Sequence, residues 1–207
     1  MREHWNERYA QQEFIYGKAP NEFLKTYLEA ECPGKILFPC EGEGRNAVFA
    51  AVKGWDVHAV DFSETAQKKA MNWAKSNHVN IRYDIQDVNE WNTDIQFDCI
   101  ALIYAHFPPQ QRTQLHQKFV SLLKPAGKII LESFSKKQIH YDSGGPDNPE
   151  LLYDESILGH DFHELQIEFL QERVIELNEG MFHKGDASII RMIAIKKQPG
   201  KQISKFS

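Results

Sequence analysis

The glycines that follow the apolar segment KILFPC have the spacing of a loop that holds a nucleotide-type cofactor. Gly42, Gly44 and Ala47 follow the pattern G-x-G-x-x-A. Because glycine has no Cβ, it allows a tight turn and lets a ligand lie against the backbone. A helix that begins just after this turn would point free N–H groups at the same ligand. The spacing therefore predicts a cofactor site at the end of the first strand.

An acidic residue at the end of the next strand strengthens this prediction. The segment DVHAVDF alternates like a strand and contains Asp61, 17 positions after Gly44. A carboxylate at this point can accept hydrogen bonds from both hydroxyls of a ribose. A glycine turn and an exposed Asp in a domain that binds nothing would look the same. The order of strand, glycine turn, helix, strand and Asp favours an adenosine-type cofactor.

Two glutamates bracket Gly42 and bear on which adenosine cofactor is bound. Carboxylates at Glu41 and Glu43 would repel a pyrophosphate in a partly desolvated loop. S-adenosylmethionine has no phosphate, and its sulfonium and α-ammonium cations would find Glu41 a favourable neighbour. Arg45 could face either a phosphate or the methionyl carboxylate. The charges favour S-adenosylmethionine. An NAD(P)-dependent reductase is the alternative enzyme, although a chain of 207 residues leaves no room for a separate substrate domain.

Strand and helix patterns alternate along the chain, which predicts an α/β fold with a doubly wound, mostly parallel sheet. The last two strand patterns are joined by EGMFHKGD, which reads as a hairpin, so the last strand of the seven should be antiparallel. We expect a single domain over residues 1–197. It would include an N-terminal helical cap at 1–33 and an insertion at 136–161 that could cover a substrate. Residues 198–207 would be a flexible tail.

Composition excludes several classes of function. The net charge of −5 and the pI of about 6.0 argue against nucleic-acid binding, which needs clustered basic residues. The three cysteines have no metal-site spacing, and the His160–His163 segment reads as solvated rather than metal-binding. The polar N-terminus and the lack of a long apolar run predict neither a signal peptide nor a membrane span. A cytoplasmic protein without a metal is expected.

Several motifs, in order along the chain, resemble those of class I S-adenosylmethionine-dependent methyltransferases. The stretch ILFPCEGEGRNAVFAAVKGWDVHAVDFSE is similar to the first cofactor motif together with the second strand. FDCIALIYAHF, LLKPAGKIILESF and SIIRMIAIKK are similar to the later strand segments. The resemblance covers about Trp5–Lys197. GEGRNAVF and GWDVHAVDFS look most like the small bacterial enzymes of the tellurite-resistance and thiol-methyltransferase type.

The resemblance implies a role for residues at each strand end. Gly42 and Gly44 would contact the amino-acid end of the cofactor, while Asp61 would bind the ribose and Phe62 would pack near the adenine. The remaining implied contacts come from the ends of the third and fourth strands and from the N-terminal cap: Asp87 and Val88 at the adenine, Tyr104 near the methionyl group, and Tyr16, Gly17 and Asn21 over the cofactor.

Two positions depart from the family pattern. Phe38 stands where an acidic residue is common, and Cys40 stands where a glycine is common. We hypothesise that Glu41 takes over the electrostatic role of the missing acid.

Methyl transfer is an in-line displacement that mainly requires alignment of the two reactants and exclusion of water. Tyr104 and His106 follow the fourth strand and are the candidate catalytic residues, with His106 the candidate base for a weakly acidic nucleophile. A purely structural role for His106 is the alternative. The subgroup resemblance suggests a small-molecule acceptor such as a thiol, a halide or a chalcogen oxyanion. A non-catalytic module that binds S-adenosylmethionine is the third alternative.

Overall fold

The computed structural model describes residues 2–198, which form one seven-stranded sheet covered by helices on both faces. The predicted tail residues 199–207 lie outside the described residues. The helices are α1 (Arg2–Tyr9), α2 (Glu22–Ala30), α3 (Arg45–Val52), α4 (Glu64–Ser76), α5 (Pro109–Ser121) and α6 (Glu155–Asp161). The strands are β1 (Lys35–Pro39), β2 (Asp56–Asp61), β3 (Arg82–Ile85), β4 (Phe97–Ile103), β5 (Leu123–Phe134), β6 (Gln166–Glu179) and β7 (His183–Ile195).

The strand order is β3-β2-β1-β4-β5-β7-β6. Strands β1 to β5 are mutually parallel, whereas β7 is antiparallel to both β5 and β6. The order reverses between β1 and β4, and in open α/β sheets a ligand binds at the carboxyl ends of the strands beside such a reversal. This arrangement confirms the predicted fold, including the antiparallel last strand.

Alternation along the central strands divides the core between the two faces of the sheet. On β4, Ile100 and Leu102 pack on one face, and Cys99 and Ala101 pack on the other. Helices α5 and α6 contribute to the first cluster, and α2, α3 and α4 contribute to the second. Because both faces are covered, β4 is apolar almost throughout, as expected of a central parallel strand.

Local signals set where the helices begin. Asn21 Oδ1 accepts the Leu24 N–H at 3.1 Å, and Ser63 Oγ accepts the Ala66 N–H at 3.1 Å. Gly44 precedes α3 with a φ of +89°, and a Cβ there would lie 2.6 Å from the Cβ of Ala70 on α4. A side chain at residue 44 would therefore strain the backbone and push α3 away from α4.

The insertion after β5 is more ordered than its Gly/Pro-rich sequence suggests. It contains two short 3₁₀-helices, Lys136–His140 and Pro149–Leu151, followed by α6. Its role as a substrate cap, like the division of the chain into a cap and a main domain, stays a prediction.

The prediction of a solvated segment at residues 160–163 is wrong for Asp161. This side chain is buried and accepts hydrogen bonds from Arg112 Nε at 2.7 Å, Thr113 Oγ1 at 2.9 Å and His116 Nδ1 at 2.9 Å. Burial alone would raise the pKa of Asp161, but these hydrogen bonds outweigh it and lower the pKa. Asp161 therefore fastens α6 to α5.

Across residues 2–198 the structure contains no cluster of three or more His, Cys, Asp or Glu side chains that could hold a metal ion. None of the described helices is long and apolar enough to cross a membrane.

Candidate functional site

Two residues at the carboxyl edge of the sheet have a left-handed backbone. Cys40, after β1, has a φ of +56°, and Tyr104, after β4, has a φ of +52°. Such conformations cost a non-glycine residue about 1–3 kcal/mol and tend to cluster at functional sites. The strain therefore lies on both sides of the strand-order reversal, where the fold predicts a ligand.

The glycine loop and the end of β2 are joined through Asp61. Its carboxylate accepts the Gly42 N–H at 3.0 Å and the Ser63 N–H at 2.9 Å. Burial raises the pKa of Asp61 to about 6, against the opposing effect of these N–H donors. Asp61 thus lies beside the loop, as the ribose prediction requires, and in this structure it bonds to backbone.

Glu41 caps helix α3. Its Oε1 accepts the N–H groups of Asn46 at 3.0 Å and Ala47 at 2.8 Å. Burial raises the pKa of Glu41 to about 8, although both hydrogen bonds and Arg45 oppose the shift. The carboxyl group therefore sits at the helix N-terminus that would otherwise face a ligand, with a proton bound over much of the neutral range.

Glu43 points to the N-terminal segment rather than to the glycine loop. Its side chain is buried, lies 2.6 Å from Lys69 Nζ, and accepts the Ile15 N–H at 2.7 Å. Lys69 neutralises its charge. Because Glu41 is largely protonated and Glu43 is paired, the two residues discriminate less between a pyrophosphate and a sulfonium cofactor than the sequence predicts.

The N-terminal segment closes over the glycine loop. A Cβ on Gly42 would lie 2.8 Å from the hydroxyl oxygen of Tyr9, so α1 ends directly above the loop. A small cavity remains between the two, lined by Tyr9, Tyr16, Gly17, Glu41, Glu43 and Arg45. Two of the predicted cap residues, Tyr16 and Gly17, therefore reach this cavity, as does Glu41.

Asn21, the third predicted cap residue, does not line this cavity and instead makes hydrogen bonds within the protein. It is buried, its N–H donates to Asn46 Oδ1 at 2.9 Å, and its side-chain amide donates to Glu132 on β5. With its capping bond to α2, Asn21 ties the cap to α3 and to the sheet. Its predicted direct contact with the cofactor stays a prediction.

The residues predicted at the adenine lie at the ends of β2 and β3. Asp87 Oδ1 accepts from the Asn89 backbone and side chain at 2.9 and 2.7 Å, Phe62 is half-buried and Val88 is buried. The negative charges of Asp61 and Asp87 both add to the effect of burial in raising the pKa of the Cys40 thiol. The structure thus gathers these carboxylates around Cys40.

An aromatic cluster forms the other side of the strand-order reversal. The Tyr104 ring lies 4.8 Å from Phe134 and 4.6 Å from His183, and the Tyr16 ring lies 4.5 Å from His183, centre to centre. The Tyr104 hydroxyl donates to Glu132 Oε1 at 3.0 Å, and burial raises its pKa well above the usual value. Tyr104 is therefore suited to line the candidate site and is not suited to act as a base.

His183 is a candidate functional residue that the sequence reasoning missed. It is buried at the start of β7, and its Nδ1 lies 3.2 Å from Glu179 Oε2. Glu179 also accepts from Arg45 at 2.9 Å. Burial lowers the pKa of His183, and Glu179 opposes this shift. The signal available in the sequence was a lone His in the turn between the last two strands, which is weak evidence without the fold.

His106 has a defined tautomer. Its Nδ1 lies 2.7 Å from the carbonyl oxygen of Leu151, and because a carbonyl can only accept, Nδ1 carries the hydrogen. Its Nε2 then accepts from the Ser133 hydroxyl, whose oxygen is 3.2 Å away. Burial lowers the pKa of His106 to about 4. The ring is neutral at physiological pH.

Comparison with known proteins agrees with this arrangement. Residues 36–127 match a family model described as a methyltransferase domain. A ubiquinone biosynthesis O-methyltransferase of Coxiella burnetii is 30% identical over 115 residues, which are 54% of this chain and 44% of that protein. Hemagglutinin 1 of Eikenella corrodens is 24% identical over 112 residues, 53% of this chain and 37% of that protein. The chain spans less than half the length of these curated relatives.

Solved structures share the fold over nearly the whole chain. TehB from Haemophilus influenzae has a TM-score of 0.71 at 17% identity, covering 95% of this chain and 67% of that chain. NodS, an N-methyltransferase from Bradyrhizobium japonicum solved with S-adenosyl-L-homocysteine, has a TM-score of 0.70 at 14% identity, covering 94% and 97%. A structure described as "Conversion of a Disulfide Bond into a Thioacetal Group during Echinomycin Biosynthesis" has a TM-score of 0.79 at 17% identity, covering 99% and 95%. These structures confirm the predicted fold, and the methyltransferase-domain match extends over residues 36–127.

Proposed function

We propose that this protein transfers the methyl group of S-adenosylmethionine to a small-molecule nucleophile, because residues 36–127 match a family model described as a methyltransferase domain. The observation that carries the proposal is the position of the partly buried Glu179–His183 pair. It lies in the aromatic cluster beside Tyr104, next to the glycine loop. The site therefore combines a cofactor loop with a proton acceptor in a water-poor pocket.

The residues present fit S-adenosylmethionine. The glycine loop, Asp61 and the cavity under the cap offer backbone, carboxylate and aromatic contacts, as an uncharged ribose and a methionyl group require. Arg45 and Glu41 line this cavity, where the guanidinium suits an α-carboxylate and the Glu41 carboxyl, once ionised, suits an α-ammonium. When bound, S-adenosylmethionine supplies an electrophilic methyl group on a positively charged sulfur.

His183 is suited to remove the proton of a neutral acceptor such as a thiol. Glu179 accepts from Nδ1, which leaves Nε2 as the accepting atom, and the hydrogen bond found for this ring among the described residues is the one at Nδ1. Because burial lowers its pKa, the ring is neutral before the reaction, and the Glu179 carboxylate stabilises the imidazolium that forms when the proton arrives. An oxyanion acceptor is already deprotonated, so it would need no base and would depend only on being held next to the methyl group.

The close aromatic packing around His183 favours a small acceptor. The cap, Tyr104, Phe134 and the β6–β7 turn surround this histidine, and the net charge of −5 offers nothing to a polyanionic nucleic acid. The resemblance to the tellurite-resistance and thiol-methyltransferase type supports a thiol or a chalcogen oxyanion. We place the protein in the cytoplasm by the same proposal, since thiols and S-adenosylmethionine are abundant in a reducing compartment.

Calorimetry with S-adenosylmethionine, S-adenosylhomocysteine and NADH tests the cofactor. Binding of the first two and not of NADH is expected, and the opposite result would favour the reductase. Methyl transfer from labelled S-adenosylmethionine to a panel of thiols, amines, tellurite and selenite then tests the reaction. Cofactor binding without transfer to any acceptor would instead support a non-catalytic module.

A further inference from the structure

The segment before α6 returns to the sheet and lies beside the loop that carries His106. Tyr153 forms a parallel bridge with Ser135, just after β5. Its N–H donates to the Phe134 carbonyl at 3.2 Å, and its carbonyl accepts the Lys136 N–H at 2.9 Å. This backbone pairing fixes where the Tyr153 side chain enters the core.

The Tyr153 hydroxyl holds the loop on both sides of His106. It accepts the Phe107 N–H at 3.0 Å and donates to the Ala105 carbonyl at 3.0 Å. Tyr153 is fully buried, and its ring centre is 5.4 Å from that of His106. One hydroxyl therefore satisfies the two backbone groups that flank the histidine, in a place that water does not reach.

Two residues farther back in the chain, Leu151 holds the imidazole itself. Its carbonyl accepts the His106 Nδ1–H at 2.7 Å. The Ser133 hydroxyl oxygen lies 3.4 Å from Nδ1 and 3.2 Å from Nε2, and with the hydrogen on Nδ1 it can donate only to Nε2. The ring of His106 also stacks at 5.9 Å on Phe134, a member of the aromatic cluster. The same short segment thus fixes the loop backbone and the imidazole tautomer.

We propose that Tyr153 is a positioning residue for the acceptor side of the site, acting through the 105–107 loop and His106. Its hydroxyl keeps the loop where His106 can donate to Leu151 and present Nε2 to Ser133 and to the acceptor. The consequence for methyl transfer rests on the proposed function; the effect on His106 does not. This gives the insertion a role in the site that the sequence does not reveal.

Replacing Tyr153 by Phe isolates this role. The ring still fills the core, but the Phe107 N–H and the Ala105 carbonyl lose their partner in a buried place, which is unfavourable for each group unless the loop moves. A shift of the loop lengthens the His106–Leu151 hydrogen bond. The imidazole can then adopt the other tautomer.

Nitrogen-15 NMR of the histidine rings measures this directly, with His106 assigned by comparison with His106→Gln. Tyr141→Phe is the matched control, because Tyr141 lies in the same insertion and its hydroxyl has no partner among the described residues. In wild type and in Tyr141→Phe, His106 should carry its hydrogen on Nδ1. In Tyr153→Phe we expect the Nε2–H form to rise at least severalfold, with affinity for S-adenosylhomocysteine changed less than twofold.

With any acceptor found in the panel, kcat should fall roughly tenfold in Tyr153→Phe, with a shifted pH profile and little change in the KM for S-adenosylmethionine. A folded Tyr153→Phe variant whose His106 keeps the wild-type tautomer and titration would overturn the proposal. A wild-type His106 that carries its hydrogen on Nε2 would also overturn the proposal, because that tautomer contradicts the hydrogen bond to Leu151. Failure to bind S-adenosylhomocysteine would instead reject the proposed function and leave the positioning result standing.

Discussion

Glu179 and His183 face each other across the β6–β7 turn, with Glu179 Oε2 3.2 Å from His183 Nδ1. They are the last registered pair of the hairpin. The hairpin therefore brings a carboxylate and an imidazole together at the end of the sheet where the aromatic cluster lies. Arg45, on α3, holds the same Glu179 carboxylate and so links this pair to the glycine loop.

If His183 removes the acceptor proton, His183→Gln should lower kcat for a thiol acceptor about 10²- to 10⁴-fold, a typical range for loss of a general base. Binding of S-adenosylhomocysteine should change little. His163→Gln is the control, since His163 is exposed beyond α6. Steady-state kinetics with a thiol and with tellurite distinguish the cases, because an oxyanion needs no base. Equal losses with both acceptors would mean that His183 shapes the pocket instead.

Glu41→Gln tests the protonated cap of α3. Burial raises the pKa of Glu41 to about 8, so the folded protein holds this proton more tightly than the unfolded chain does. The resulting stability is fully present below the unfolded pKa, about 4, and is lost as the pH rises through 8. The unfolding free energy of wild type minus that of Glu41→Gln should therefore fall across this range in urea titrations.

Exposed Glu90 provides the control, and Glu90→Gln should show no such trend. Above pH 8 the ionised Glu41 should also bind S-adenosylmethionine more tightly than the Gln variant does, if it replaces the acid missing at Phe38. Unchanged affinity at every pH would reject that replacement.

Gly180→Ala tests whether the turn between β6 and β7 holds the cap closed. Gly180 has a φ of +68°, and a Cβ there would overlap the Ile15 carbonyl oxygen, which accepts the Met181 N–H at 3.0 Å. We expect weaker binding of S-adenosylhomocysteine and a loss of about 1 kcal/mol or more in stability. Gly159→Ala is the control: it lies inside α6 with open space around it and should gain about 0.5–1 kcal/mol. If calorimetry shows that both variants bind S-adenosylhomocysteine as tightly as wild type, the turn does not hold the cap closed.

Asp161→Asn should lower the unfolding free energy by about 3–5 kcal/mol, because it leaves the charge of Arg112 uncompensated. The pKa of Asp161 is lowered by its hydrogen bonds, despite burial, so its contribution is present above the unfolded pKa and is lost as the pH falls below about 4. The difference in unfolding free energy between wild type and Asp161→Asn should therefore shrink only at acidic pH. Thermal unfolding from pH 7 to 3 measures this, with exposed Asp147→Asn as the control. A variant as stable as wild type at pH 7 would contradict the anchoring role.

The elements of the fold could be predicted because they depend on local patterns. Ser63 caps α4, Pro109 begins α5, and the alternation in β4 divides its side chains between two faces, each readable from a few neighbouring residues. The cofactor loop was predictable for the same reason, since Gly42 and Gly44 are needed by the turn itself.

The partners of the charged residues could not be predicted in this way. Glu41 and Glu43 look like ligand-facing carboxylates in the sequence. One caps α3, and the other pairs with Lys69, 26 positions away. The solvated prediction for Asp161 failed because its partners lie on α5, 45 to 49 positions earlier in the chain.

By itself, the sequence determined the order of strands and helices, the glycine turn and the resemblance to a methyltransferase family, because periodicity, capping and the spacing of a motif act over short stretches of chain. Only the tertiary structure decided which distant side chains come together at the carboxyl edge of the sheet. Arg45 meets Glu179 across 134 positions, and Tyr153 meets Phe107 across 46. Such contacts depend on how the sheet brings distant strand ends together, and on which buried polar groups then need a partner.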